Sequence, residues 1–210
     1  MLDIGGGGKL IYFIKGVKLT TTNLDSGDIK CDGRKLPFKK NDFDVVVSLD
    51  VLEHVPNIDR SIFISEMMRV AKKTVVFCAA LGTPEHEAHA RHMSKMYREK
   101  SGHPNKHLEE HLALGMPLLK EMKDILSNER YSMRFENILG MAQRSRSFRC
   151  FQPENKLLGK VLLVFQLLFT MAQTFYMELF IYDKSLSDKP TTKTNRFYVR
   201  IDKEENDERA

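Results

Sequence analysis

The chain has 210 residues, 33 of them basic and 28 acidic, for a formal net charge of +5. That length fits one domain with an elaboration, and the mild surplus on a highly charged surface is not a basic stripe. Nucleic acid is therefore disfavoured as a partner: it would call for clustered Lys/Arg interleaved with aromatics, and only Arg144, Arg146 and Arg149 approach that, reading as a solvated turn. Three widely spaced cysteines, Cys31, Cys78 and Cys150, without a CxxC pair, argue for a reducing compartment and against a disulfide or zinc framework. The N-terminus lacks the basic region and apolar core of a signal peptide.

The first element is Leu2-Asp3-Ile4 running into Gly5-Gly6-Gly7-Gly8. An apolar strand opening into clustered glycines reads as a side-chain-free turn before a helix, where backbone can approach a nucleotide-like ligand closely. The Asp3 carboxylate can organise that turn or receive a ligand's ammonium group. Lys9 to Lys15 is a short helix candidate closed by Gly16, and Val17 to Asn23 is a β-rich run ending in the acidic turn Leu24-Asp25-Ser26-Gly27-Asp28. Strand, glycine turn, helix and strand make a βαβ unit. The second strand then ends where open α/β sheets bind ligands, so Asn23 and Asp25 are candidates for holding ribose hydroxyls.

A short third strand spans Ile29 to Gly33, and Phe43 to Leu49 is the strongest strand, its β-branched run being that of a strand buried on both faces. After Asp50-Val51-Leu52-Glu53-His54-Val55, Asn57 is positioned to cap a helix over Ile58 to Ala71, with Ile58, Ile62, Met67 and Val70 as its apolar face. Lys73 to Ala80 is a fifth strand. The alternation predicts a doubly wound α/β domain. From Gly82 to His111 the chain is polar and holds six of the seven histidines; a helix near Pro117 to Leu126, a strand near Arg130 to Asn137, a long apolar helix from Asn155 to Asp183 and a last strand from Asn195 to Ile201 follow. Residues 202–210 read as a charged, disordered tail.

Taken together, Leu-Asp-Ile-Gly-Gly-Gly-Gly, Asn23-Leu24-Asp25, Asp32 before Leu36-Pro37-Phe38, Phe43-Asp44-Val-Val-Val-Ser and Leu52-Glu53-His54-Val55 resemble a class I S-adenosylmethionine-dependent methyltransferase of the type 11 kind. The dinucleotide fingerprint fails, because its third glycine would fall on Leu10 or Ile11. Leu108 to Leu112 with Leu114 to Pro117 resembles a subset of the same family. The resemblance implies a Rossmann-like fold with a mostly parallel, seven-stranded sheet flanked by helices, and an N-terminal helical segment missing before the first strand. It divides the chain into a cofactor-binding core (1–81), an acceptor-side elaboration completing the same domain (82–201) and the tail.

Residue by residue, the resemblance implies that Asp3, Gly5 and Gly7 serve the methionine moiety of S-adenosylmethionine. Asn23, with Asp25 beside it, would serve the ribose, Asp32 the adenine amino group, and Leu49 and Asp50 the region of the transferred methyl. Asn23 stands where the family has an acid and accepts through one oxygen rather than two. His54 is the candidate base, with Glu53 as its neighbour to orient it; the plainer reading has both capping the next segment and lining the pocket. S-adenosylhomocysteine would be the product.

His107, Glu110 and His111 formally fit H-x-x-E-H, but no third ligand motif follows. His86, His89 and His92 read as a solvated helix face, so no metal is expected. From Val161 to Met177 the polar side chains are Gln166, Thr170, Gln173 and Thr174, and the run falls slightly short of the ~20 residues a bilayer span needs. A buried helix, a substrate-pocket wall or a homodimer interface accounts for it, and docking on a membrane surface would favour a lipid-linked acceptor. The expectation is a cytoplasmic, membrane-peripheral enzyme methylating a small-molecule or lipid-linked acceptor. Its rivals are a catalytically weak or inactive S-adenosylmethionine-binding protein, a nucleic-acid methyltransferase and a peripheral membrane scaffold.

Overall fold

The computed structural model describes residues 1–6, 10, 16–137 and 186–203. In chain order the elements are β1 (Leu2–Ile4), β2 (Thr20–Asn23), β3 (Ile29–Lys30), β4 (Phe43–Leu49), α1 (Arg60–Val70), β5 (Ala71–Ala80), α2 (Pro84–Ser101), α3 (Lys106–Leu114), α4 (Leu119–Ile125), β6 (Tyr131–Glu136), β7 (Leu186–Ser187) and β8 (Arg196–Asp202). The strands lie in the order β3-β2-β1-β4-β5-β8-β6-β7. Pairings among β1 to β5 are parallel and β8 runs antiparallel to β5. This is a mixed α/β sheet with a parallel core, in eight strands rather than seven. The added strand is β7, whose two residues pair antiparallel with Phe135 and Glu136 and carry no alternation a sequence pattern could show.

The chain divides into two compact units, residues 1–82, 110–133 and 196–210 in the first and residues 83–109 and 134–195 in the second. The first holds the parallel core. Val46, Val47, Val75 and Phe77 are buried on its two central strands, and Phe77 meets Phe197 of β8 edge to face at 6.2 Å. On α1 the buried stripe is Phe63, Ile64, Met67 and Val70, whereas Ile58 is 80% and Ile62 49% exposed. Of the expected face, Met67 and Val70 are buried, while Phe63 and Ile64 take the place of Ile58 and Ile62.

The reason is the start of the helix. Residues Asn57–Asp59 form a 3-10 turn instead of a cap, Asp59 occupies the cap position without a capping bond, and Arg60 turns inward. Arg60 is 1% exposed. Its Nε donates to the carbonyls of Leu52 (3.2 Å) and Val55 (3.0 Å), its Nη1 to Glu121 (2.9 Å) and its Nη2 to the Gly115 carbonyl. One guanidinium therefore ties the Leu52–Val55 turn to residues 115–121, and no apolar periodicity announces it.

In the second unit the polar stretch after Gly82 is helical, as α2 and the start of α3. Thr83 Oγ1 accepts from the His86 amide, Pro84 occupies the first turn, and Gly102 closes α2 at φ +74°. The buried positions of α2 are His86, Ala90, Met93 and Ser94, at helical spacing but half polar. His86 is buried, so the solvated-face expectation fails for it, while His92 is exposed. The helix candidates over 9–15 and 155–183, the Arg144–Arg149 turn, Cys150, and tail residues 204–210 lie outside the described residues. Asp202, expected in the tail, ends β8. Among the described residues no helix is long and apolar enough to cross a membrane.

Candidate active site

All of the site residues considered next belong to the first unit. They gather where the parallel strands β1, β2 and β4 finish. Asp3 lies between two strands, opposite Thr21 of β2 and Val47 of β4. It is 2% exposed, its Oδ1 has no hydrogen-bond partner among the described residues, and burial raises its carboxyl above the ordinary value. A buried carboxylate oxygen left without a donor is costly, on the order of 1–3 kcal/mol. Such a group is waiting for a donor.

The turn next to it admits the backbone only as glycine. A Cβ on Gly6 would fall 1.8 Å from Asp3 Oδ2, and Gly5 sits at φ +77°, where a Cβ would lie 2.3 Å from Val51 Cγ2. Gly5 N donates to the Thr22 carbonyl (2.6 Å), fastening the turn to β2. Gly7 lies outside the described residues.

Asn23 completes the turn. Its Nδ2 donates to the Gly5 carbonyl (3.1 Å) and its Oδ1 accepts from Leu24 N (2.7 Å). This gives a physical reason for the departure from an acid: a carboxylate has no proton to offer the Gly5 carbonyl. Asp25 is exposed. Asp32 is engaged by Arg34, whose Nε donates to both carboxylate oxygens (3.0 Å each) and whose backbone amide donates to Oδ1 (2.9 Å); Arg34 also pairs with Asp59. The Arg34 hydrogen bonds hold the Asp32 carboxyl below its ordinary value.

Leu49 is 37% exposed at the end of β4, and Asp50 follows it at φ +56°, in the left-handed region. The Asp50 carboxylate accepts from Arg196 Nη2 (2.7 Å), and its amide donates to the Cys78 carbonyl (3.0 Å). Burial, with Asp50 adding to it, pushes the Cys78 thiol up to about 12. Cys78 is thus an inert thiol here.

Glu53 and His54 part company. Glu53 is 3% exposed, accepts weakly from Ala80 N (3.4 Å) through Oε1, and leaves Oε2 without a partner among the described residues; burial raises its carboxyl. It does not orient His54, because its side chain is turned to β5. Glu110 does: His54 Nδ1 lies 2.9 Å from Glu110 Oε2, and His54 Nε2 lies 3.2 Å from His111 Nε2. A carboxylate only accepts, so Nδ1 donates to Glu110; in the singly protonated tautomer this selects, Nε2 is an acceptor facing His111 Nε2. The arrangement is that of a base held by a carboxylate.

The structure therefore brings together Asp3, Gly5 and Asn23 at one corner, Leu49 and Asp50 with Arg196 at another, and His54 with Glu110 and His111. It leaves Asp25 on the surface and Asp32 with Arg34. Arg196 is not among the residues the sequence singles out, Glu53 is singled out only as a neighbour of His54, and Glu110-His111 carries no role there. Nothing in local spacing links residues 54 and 110 or 50 and 196.

Residues 12–79 match the family model described as a methyltransferase domain. Over that third of the chain the sequence is similar to a methyltransferase domain. Among solved structures, Haemonchus contortus phosphoethanolamine N-methyltransferase 2 in complex with S-adenosylmethionine is 15% identical with a TM-score of 0.52, over 96% of this chain and 48% of that one. The chain thus spans about half the length of that methyltransferase. Streptomyces coelicolor geranyl diphosphate C-methyltransferase, solved with Mg2+, geranyl diphosphate and S-adenosylhomocysteine, is 13% identical with a TM-score of 0.50, over 96% of this chain and 69% of that one. These likenesses establish a shared fold. No curated protein matches the sequence.

The residues present fit S-adenosylmethionine. Its amino-acid end carries an ammonium, and Asp3 Oδ1 is a buried acceptor without a donor among the described residues, beside a turn that only glycine can form.

Proposed function

We propose that the chain transfers a methyl group from S-adenosylmethionine to a small-molecule or lipid-linked acceptor. When bound, S-adenosylmethionine supplies a methyl already activated on a sulfonium, so the protein's part is alignment and, for a protonated nucleophile, removal of a proton. Asp3 receives the ammonium and the Gly5-Gly6 backbone forms the floor beneath it, with Gly7 serving the same methionine moiety. Asn23 and Asp25 serve the ribose and Asp32 the adenine amino group, while Leu49 and Asp50 border the methyl. His54 accepts the acceptor's proton at Nε2 once His111 yields that position, and Glu110 stabilises the resulting imidazolium. The orphaned Asp3 oxygen carries this reading.

A specific observation favours a second reading, that of a catalytically weak binding protein. Asn23 spends both ends of its amide on the turn itself, and Asp32 is already engaged by Arg34. Calorimetric titration with S-adenosylhomocysteine, followed by release of that product across a panel of phenols, amines, carboxylic acids and polyprenyl-linked acceptors, separates the two. Turnover that falls about 10²–10⁴-fold in H54A with unchanged S-adenosylhomocysteine affinity supports the base assignment. Binding without turnover on any acceptor supports the weak-binder reading, and absence of binding refutes both.

A further inference from the structure

At the opposite end of the same sheet lies a second recess. The antiparallel register of β8 on β5 places Arg196 beside Ala80 but Asp202 beside Thr74, so the end of β8 reaches the edge where the parallel strands begin, away from Asp3 and Asp50. There a cavity of about 460 Å³ is lined by Arg130, Tyr131, Ser132, Arg200, Asp202 and Lys203, all in the first unit. Its volume is within the range of small-molecule sites.

The charges of the lining do not cancel. Three cations face one carboxylate, and Asp202 is shared by Arg200 Nε (3.1 and 2.9 Å to its two oxygens) and Thr74 Oγ1 (2.9 Å). Arg200 keeps the Nη pair of its guanidinium fork beyond that contact. Lys203 is built in rather than floating: its Nζ donates to Asn41 Oδ1 (2.9 Å) and to the carbonyls of Ala71 (2.7 Å) and Met68 (3.2 Å), at the C-terminal end of α1. Its ammonium is pushed below its ordinary value by burial and then by the nearby positive charge of Lys40. An anion in the recess would relieve that repulsion.

We infer that this recess binds a phosphate monoester. The group matches the forked donors of two arginines, while Lys203, its three protons given to Asn41, Met68 and Ala71, adds positive charge alone; the volume exceeds that of a bare phosphate, leaving room for an organic body. The phosphate can belong to a soluble metabolite or to a lipid headgroup.

The test uses the full chain with phenyl phosphate in calorimetry at low salt, and with phosphatidylcholine vesicles with or without phosphatidic acid in flotation. Expected is one phenyl phosphate per chain, weakened about tenfold in R130A and rescued in part by R130K, with S-adenosylhomocysteine affinity unchanged. Arg130 is exposed, so R130A is expected to fold; far-ultraviolet circular dichroism checks this. Phenyl phosphate binding without flotation assigns a soluble ligand, and flotation that requires phosphatidic acid and Arg130 assigns a headgroup. Failure of both probes, or equal binding by R130A and by an R130A/R200A double variant, overturns the site. Retention of RNA without binding of phenyl phosphate overturns it in favour of a polyanion surface.

Discussion

Asp3 and Asp32 are carboxylates assigned to the same cofactor, and their surroundings differ in kind. Asp3 is buried between two parallel strands with one oxygen unsatisfied, and its carboxyl is raised by burial. Asp32 is partly exposed, gripped by the Arg34 guanidinium, and its carboxyl is lowered by those bonds. On the proposed assignment, one end of the site is completed only by a ligand and the other is already engaged. Binding free energy would then be concentrated at the Asp3 end, where a ligand donor completes a group already desolvated by folding.

The sharpest way to break this contrast is D3A. Removing the acceptor for a charged donor costs about 1.5–3 kcal/mol, or about 10–100-fold in S-adenosylhomocysteine affinity by calorimetry. If D3A binds as tightly as the parent chain, the buried carboxylate is a structural group and the contrast is empty. In the ligand-free protein the same side chain acts in the opposite direction. Because the native carboxyl is raised, the protonated form is favoured on folding: this contribution is fully present below the unfolded value of about 3.9 and is lost as pH rises through the native value. D3N is neutral throughout and keeps the shape. At pH 7 it is expected to be more stable than the parent by about 1 kcal/mol in urea denaturation, with the difference vanishing towards pH 3 and affinity still reduced.

D32A should do much less. The carboxylate and Arg34 are each more than a third exposed, so solvent screens the pair, and the loss in stability is expected below about 1 kcal/mol. An adenine amino group would be a neutral donor to oxygens it shares with Arg34, worth a two- to fivefold loss in affinity at about 0.5–1 kcal/mol. A larger loss in D32A than in D3A would reverse the assignment of the two ends.

How far these features were legible follows from their sequence range. β4 read at its true bounds because its Val45-Val46-Val47 run lies at the centre of a parallel strand, and the glycine turn read because its constraint is local. The face of α1 was misjudged because a buried guanidinium replaced an apolar residue at its start, and hydropathy counts Arg60 as surface. α2 hid behind its polar core of His86 and Ser94, although Thr83-Pro84 and Gly102 are ordinary start and stop signals and could have revealed it. The partners of the site were least legible. Asp50 meets Arg196 across 146 positions and His54 meets Glu110 across 56, separations that only the folded sheet closes.

Asn23 offers the finest cut between the two ends, because it borders the glycine turn and stands at the ribose position. N23D preserves size and keeps the acceptor for Leu24 N, but it removes the proton given to the Gly5 carbonyl and sets two acceptors 3.1 Å apart. The turn should loosen by about 0.5–1.5 kcal/mol. Against this, the carboxylate offers the ribose a second oxygen, a gain of similar size. The net change in S-adenosylhomocysteine affinity is expected within about threefold while the melting temperature falls. Both readouts come from one protein sample, calorimetry for affinity and a thermal scan for stability. If stability is unchanged and affinity rises about tenfold, the Asn23 clamp is idle and the side chain is chiefly a ribose contact. If both fall together, the clamp is what keeps the turn beside Asp3 in register with its ligand, and the Asp3 end depends on β2 as much as on β1.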